Sequence, residues 1–168
     1  MVELDALDIK ILNALQQDAR MTTLELAEQV GLSATPCARR VKRLEDEGVI
    51  ERYVTLLNAE RLGIELNVFA DIRLRSQTKE SIEIFERAIK DMPEVVECYL
   101  VTGEYDYLLH LRVADMAALR ALMRDRLIAI ESVAATHSSI ALEQIKYTTA
   151  LALTRRAEPR APRRRAPR

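Results

Sequence analysis

The sequence has no tryptophan, two phenylalanines, two cysteines, two histidines and four glycines in 168 residues. With aromatics at 4%, the core has to be built from Leu, Ile, Val and Ala. No apolar run reaches the roughly 18 residues that a membrane-spanning helix needs, so no membrane partner is expected. The amino-terminal MVELDALDIK has neither a basic start nor an apolar stretch. That excludes a secretory signal and predicts a cytoplasmic protein. Cys37 and Cys98 stand far apart, without metal-ligand spacing. Both are expected to be reduced, buried and small-apolar in role. His110 and His137 have no third ligand in pattern with them, so neither a metal site nor a cofactor is expected.

What is present is charge, unevenly placed. The net charge of −1 conceals a carboxyl-terminal stretch, residues 155–168, with seven Arg and one Glu, hence +6. Residues 1–154 hold 18 basic and 25 acidic side chains, hence −7. A body this acidic repels DNA, so any DNA contact has to come from a local basic surface. Residues 155–168 are Arg, Ala and Pro with one Glu, and are expected to be disordered for want of anything to bury. They read either as a mobile cation that adds salt-dependent affinity for DNA or as a solubilising extension.

Three helices are predicted first. Leu7, Ile11, Leu12 and Leu15 recur at helical spacing behind a cap at Asp5, with Asp8 in the first turn. Thr22 and Glu25 form a capping box for a second helix whose apolar stripe is Leu24, Leu26, Ala27 and Val30, ended by Gly31. Ser33 caps a third helix running to about Glu47, with Pro36 in its first turn and Gly48 as its stop. Two helices joined by so short a turn make a helix-turn-helix. Val49 to Leu57 then reads as a strand or extended arm.

On the third helix, Cys37, Val41 and Leu44 make the buried stripe and Arg39, Lys42 and Arg43 lie opposite. Ser33 and Thr35 sit at its amino-terminal end. This is the layout of a recognition helix: Arg can bond guanine bidentately, and first-turn hydroxyls and N–H groups can hold phosphates. Arg40 borders the buried stripe; it either contacts a phosphate or pairs internally with an acid such as Asp8 or Glu47. The candidate DNA-binding set is therefore Ser33, Thr35, Arg39, Arg40, Lys42 and Arg43.

The second half changes rhythm. Leu66, Val68, Ala70, Ile72 and Leu74 alternate with polar or outward residues, as in a strand with one buried face. A helix from about Lys79 to Asp91, strands at 95–101 and 107–113, a helix capped by Asp115 and a last strand at 133–145 complete a β-α-β-β-α-β order. The fold class is thus α+β, a helix-turn-helix followed by a ferredoxin-like domain. The domains are expected at 1–58 and 64–150, followed by the 155–168 tail. The sheet face away from the helices should carry Phe69, Arg73, Tyr99, Leu108, His110 and Arg112, which is too apolar for a wetted face. Packing of a second copy there, a homodimer, accounts for it. The turn Gly103-Glu104-Tyr105-Asp106 can take a ligand: Gly admits close approach, backbone N–H groups suit a carboxylate and Asp106 suits an ammonium. The plainer alternative is a tight turn whose Asp106 bonds its own backbone.

The strings LDALDIKILNALQQDAR, LAEQVGLSATPCARRVKRLEDEGVIERY and ECYLVTGEYDYLL resemble the feast/famine, or Lrp/AsnC, regulators, and SATPCARRVKRLE resembles their leucine-responsive branch. The resemblance covers about residues 4–147 and leaves the Arg/Pro tail outside. It implies a winged helix-turn-helix, a linker strand and a ferredoxin-like effector domain. It also implies dimers that assemble into octamers or larger rings, and an amino-acid effector bound at the 103–106 loop and the last strand, between dimers. The matching positions are Gly103, Asp106, Thr136, Ser138 and Ser139, with Met116 nearby, and Glu104 of the same turn completes the candidate effector set. The expected function is regulation of amino-acid metabolism through double-stranded DNA, with nucleoid association. Two rivals remain: a nucleoid organiser of low sequence preference, and a haem-precursor decarboxylase of the same architecture. The decarboxylase needs His and Arg around a tetrapyrrole pocket, whereas this chain has two His and keeps a basic third helix.

Overall fold

The computed structural model describes residues 2–153; the 155–168 tail lies outside them. The chain divides into two units, residues 2–55 with 147–153 and residues 56–146.

The first unit is built on three helices, α1 (Ala6–Gln17), α2 (Thr23–Val30) and α3 (Ala34–Asp46). Local chemistry sets each boundary. Asp5 and Asp8 form a reciprocal capping box on α1, and Thr22 and Glu25 do the same on α2. Gly31 ends α2 at φ 78°, a left-handed conformation that glycine adopts without penalty. Ser33 occupies the cap position of α3 but makes no capping hydrogen bond, contrary to its expected role. Ile11, Leu12, Leu26, Ala27, Val30, Cys37 and Leu44 form the core. Leu24 was expected on the apolar stripe of α2 and is instead 67% exposed. It stands two residues, about 200°, from Leu26, and three helices this short bury only one side of each. Past α3 the chain enters no helix or sheet at 51–57 among the described residues, so no strand is found there. Tyr53, Val54, Leu56 and Leu57 are exposed in this stretch.

The second unit is a four-stranded antiparallel sheet in the order β2-β3-β1-β4, with β1 Leu66–Leu74, β2 Val95–Leu100, β3 Tyr107–Val113 and β4 Val133–Ile140. Helices α4 (Lys79–Lys90) and α5 (Met116–Ala121) make the two crossovers, and α5 continues as a wide π-type turn through Leu127. This is the expected βαββαβ arrangement. Val68, Ala70, Ile72, Leu109 and Leu111 pack under Phe85, Ile89, Leu119 and Leu127. The expected last strand is cut short at Ile140, because β4 pairs only with β1, whose pairing ends there at Val68. Cys98 is exposed, against expectation. It lies on the edge strand β2, which has a neighbour on one side only. Partial burial, with the nearby Glu86 carboxylate, still pushes its thiol above the ordinary value. No helix among the described residues is long and apolar enough to cross a membrane.

Candidate nucleic-acid interface and effector site

Setting Cys37 at zero on α3, Lys42, Thr35 and Arg39 fall at about 140°, 160° and 200°, a single solvent-facing strip. All three are exposed, as is Ser33 at the helix start. The Ser33 hydroxyl and the first-turn N–H groups are left without a side-chain cap, which is the condition under which a helix start accepts a phosphate. Lys42 pairs with Asp46 one turn later at 3.1 Å, both exposed. Such a pair is worth little and yields readily to a stronger anion.

Arg40 and Arg43 are placed differently. They flank the strip at about 300° and 240° and turn toward α1. Asp8 is 1% exposed and accepts from Arg40 Nη1 at 2.8 Å, Arg43 Nη2 at 2.6 Å and the Asp5 N–H at 3.0 Å. Arg40 Nη1 also donates to Asp5 at 2.7 Å. Accepting the Asp8 N–H, and then the Arg40 guanidinium, holds the Asp5 carboxyl below its usual range. Of the two internal partners weighed for Arg40, Asp8 is the one found, joined by Asp5. The pairing of Arg43 with Asp8 was not expected: at 240° the helical wheel leaves it outside the buried stripe, and only the position of α1 draws it inward. Four charged groups thus lock α3 to α1 in a fixed orientation, because a buried carboxylate needs its partners to offset the loss of water.

In the second unit, the 103–106 turn and the start of β4 lie close together in one chain: the Asp106 N–H donates to the carbonyl of Ile72, which pairs with Thr136, and the Tyr105 and His137 rings are 6.5 Å apart. Gly103, in an exposed turn at φ 129°, needs to be glycine. Glu104 is exposed and 4.0 Å from Arg73. Asp106 closes the start of β3: its Oδ2 accepts from the Leu74 N–H at 2.7 Å and its Oδ1 from Gln77 Nε2 at 2.8 Å. Gln77, missed in the sequence because it lies 29 residues away, is therefore part of this corner. Beside it lies a cavity of about 390 Å³ lined by Leu74, Gln77, Ile82, Val101, Asp106 and Tyr107, among others. Met116 follows β3, so it stands at the other end of that strand, roughly 20 Å away. Thr136 and Ser138 pair with Ile72 and Ala70, whose side chains are in the core, so they share the helix-side face; Ser139 pairs with Phe69 and shares the open face.

That open face carries the six residues expected on it. Phe69 stacks on His110 with ring centroids 4.9 Å apart and planes 16° apart. His110 also meets Asn67 at 2.5 Å and Glu97 at 3.6 Å, and burial pushes its imidazole below the ordinary value. Tyr99 is exposed beside it on β2. No cluster of three or more metal-ligating side chains occurs among the described residues.

Residues 4–51 match a family model for winged helix-turn-helix DNA-binding domains, and residues 67–151 match one for the Lrp/AsnC ligand-binding domain. The chain belongs to the Lrp/AsnC family. It is 45% identical over 150 residues to the leucine-responsive regulatory protein of Haemophilus influenzae, covering 89% of this chain and 90% of that one. It is 41% identical over 154 residues to the protein of that name in Escherichia coli K12, covering 92% and 94%. Among solved structures, a transcriptional regulator of Neisseria meningitidis in complex with L-Met superposes with a TM-score of 0.87 at 41% identity, covering 89% of this chain and 97% of that one. An AsnC-family regulator from Agrobacterium tumefaciens gives 0.84 at 42%, with the same coverage. This Lrp/AsnC chain is a DNA-binding transcription regulator with an effector domain, and not an enzyme; the decarboxylase alternative falls with that assignment.

Proposed function

We propose that this regulator reads operator DNA with Ser33, Thr35, Arg39 and Lys42, while Arg40 and Arg43 hold the reading helix in place. The observation that carries this is the division of α3 into a free strip and a flank tied to Asp8. A side chain bonded inside the protein has to give up a buried partner before it can bond DNA; Arg39 has no bonded partner among the described residues. The test is fluorescence anisotropy with the protein's own promoter region and random DNA at one salt concentration. A clear preference for the promoter supports the specific regulator. Equal affinity supports the nucleoid organiser instead.

The effector is an amino acid, as in the meningococcal relative solved with L-Met, and the regulated genes handle amino acids. Gly103, Glu104, Ser138 and Ser139 are all exposed to solvent in one chain, which supports a site completed by a second copy. Dimers form through the open sheet face around Phe69, Tyr99 and His110, and further assembly to an octamer or similar ring brings the 103–106 turn of one dimer against another. The exposed arm at 51–57 suits strand pairing with a partner copy. Light scattering with and without candidate amino acids tests this reading: a protein that is monomeric at micromolar concentration ends it.

A further inference from the structure

The chain passes between its two units twice. It enters the sheet unit after residue 55 and returns to the helical unit at Tyr147. The returning stretch is pinned at its two ends. At its start, one residue past β4, the Ala141 N–H donates to the Asn67 carbonyl at 2.8 Å. At its far end the Gln16 side chain, in the last turn of α1, takes both backbone groups of Leu151: Nε2 donates to the carbonyl at 3.1 Å and Oε1 accepts from the N–H at 2.6 Å. Two residues on, Leu153 packs against the helical core. Between these pins, residues 142–149 make no backbone–backbone hydrogen bond among the described residues. Leu142 and Ile145 are 99% and 84% exposed there.

We propose that residues 141–153 are a strap that carries the effector state of the sheet unit to the reading helix, with Gln16 and Leu153 as its positioning residues. It rests on effector binding at the 103–106 turn and β4 and on DNA reading by α3. The strap starts two residues after Ser139, so a ligand held on β4 acts on its first residues. It ends on α1, whose 12 hydrogen-bonded residues move as one body. About two turns before Gln16 on that helix, Asp8 accepts from Arg40 and Arg43 of α3. A pull at Leu151 therefore reaches the reading helix through one rigid helix and one buried carboxylate. The hold on α1 also has the strength a switch needs. Two exposed hydrogen bonds and one part-buried leucine are each worth little after competition with water. The docked and released straps thus differ by little free energy, and a ligand that favours one of them can tip the balance.

Reciprocity supplies a test that needs no effector: if the strap couples the two sites, DNA on α3 is felt at β4. Hydrogen exchange of residues 133–141 is measured on the full chain with and without a duplex of the protein's own promoter region. Two variants are compared with the unchanged protein. Gln16→Ala with Leu153→Ala releases the far pin. A Gly/Ser insertion of about six residues after Glu143 slackens the strap and leaves both pins intact. Exposed stretches tolerate insertion, so the slackened protein decides the matter where the double variant fails to fold. In the unchanged protein, DNA should change exchange at 133–141 at least about fivefold, the low end of ordinary coupling between sites. In both variants that change should vanish while the promoter is still bound. No DNA-dependent change in the unchanged protein overturns the proposal, as does a change that survives slackening. Loss of promoter binding on slackening also overturns it, since the stretch would then only complete the helical unit. A second arm uses L-Met, the ligand of the meningococcal relative, with calorimetry for its binding and anisotropy for its effect on promoter affinity. Both variants should bind L-Met as the unchanged protein does and no longer shift promoter affinity in response. If L-Met binds none of the three, the effector reading fails for that ligand, and the exchange result still decides the strap.

Discussion

The proposed DNA-reading site and the proposed effector site are built on opposite plans. The reading strip comes from ten consecutive positions, Ser33 to Lys42, on one helix whose caps and stripe are local. The effector positions span residues 103 to 139 and come from a turn, a helix start and a strand that are brought near one another only by the sheet. A site on one helix needs only that helix and something to aim it, and Asp8 does the aiming. A site drawn from several elements needs the tertiary structure to gather it. On the proposed reading, one chain presents a basic helix, while sensing draws on residues far apart in the chain and on a second copy.

This contrast can be broken at several points. The largest effect is expected from Asp8→Ala, which strands two guanidinium groups and unlocks α3 from α1. Because both arginines are partly exposed, the loss should be about 2–3 kcal/mol rather than the full value for a buried pair, read by urea unfolding; a loss below 1 kcal/mol would dissolve the distinction between the two flanks of α3. Next, Arg39→Ala should weaken operator binding about 10- to 100-fold, the worth of one good base contact, with unfolding midpoint and oligomer unchanged. Arg40→Ala should do the reverse, lowering the unfolding midpoint first.

Asp106→Ala should destabilise the sheet unit by about 1–2 kcal/mol, because the Leu74 N–H loses its acceptor. It should also silence the effector response while leaving operator binding in place. A normal response by anisotropy would move the sensing site elsewhere. The smallest effect is on pH dependence. Burial, opposed in part by Glu97, lowers the His110 value in the folded state, so the unfolded chain takes up a proton first as pH falls. Stability contributed by neutral His110 is complete above the ordinary value near 6.5 and is lost as pH falls below it toward the folded value. Thermal unfolding at pH 7 and pH 5 should show the drop, and His110→Phe, which keeps a ring against Phe69, should flatten it.

Much of this was readable along the chain because the signals are short-range. Capping boxes at Asp5/Asp8 and Thr22/Glu25 span three residues, the alternation of Leu66 to Leu74 has period two, and the Gly31 and Gly48 stops act where they stand. Leu24 misled because amphipathic spacing tells which residues can face a core and not how much core a small unit has. The end of β4 misled for a related reason, since strand length depends on a partner elsewhere in the chain. Cys98 looked like a buried residue by type and lies exposed on an edge strand.

The sequence by itself determined the order of elements, their caps and stops, the basic strip on α3 and the imbalance between an acidic body and an arginine tail. Each of these is a property of neighbours within a few residues or of simple composition. Only the tertiary structure decided that Arg40 and Arg43 turn inward, that Gln77 and Leu74 occupy the Asp106 carboxylate, and that Leu151 is gripped by Gln16 at a separation of 135 residues. Those contacts join groups far apart in the chain, and side chains with several polar atoms have many partners open to them until packing brings one within reach.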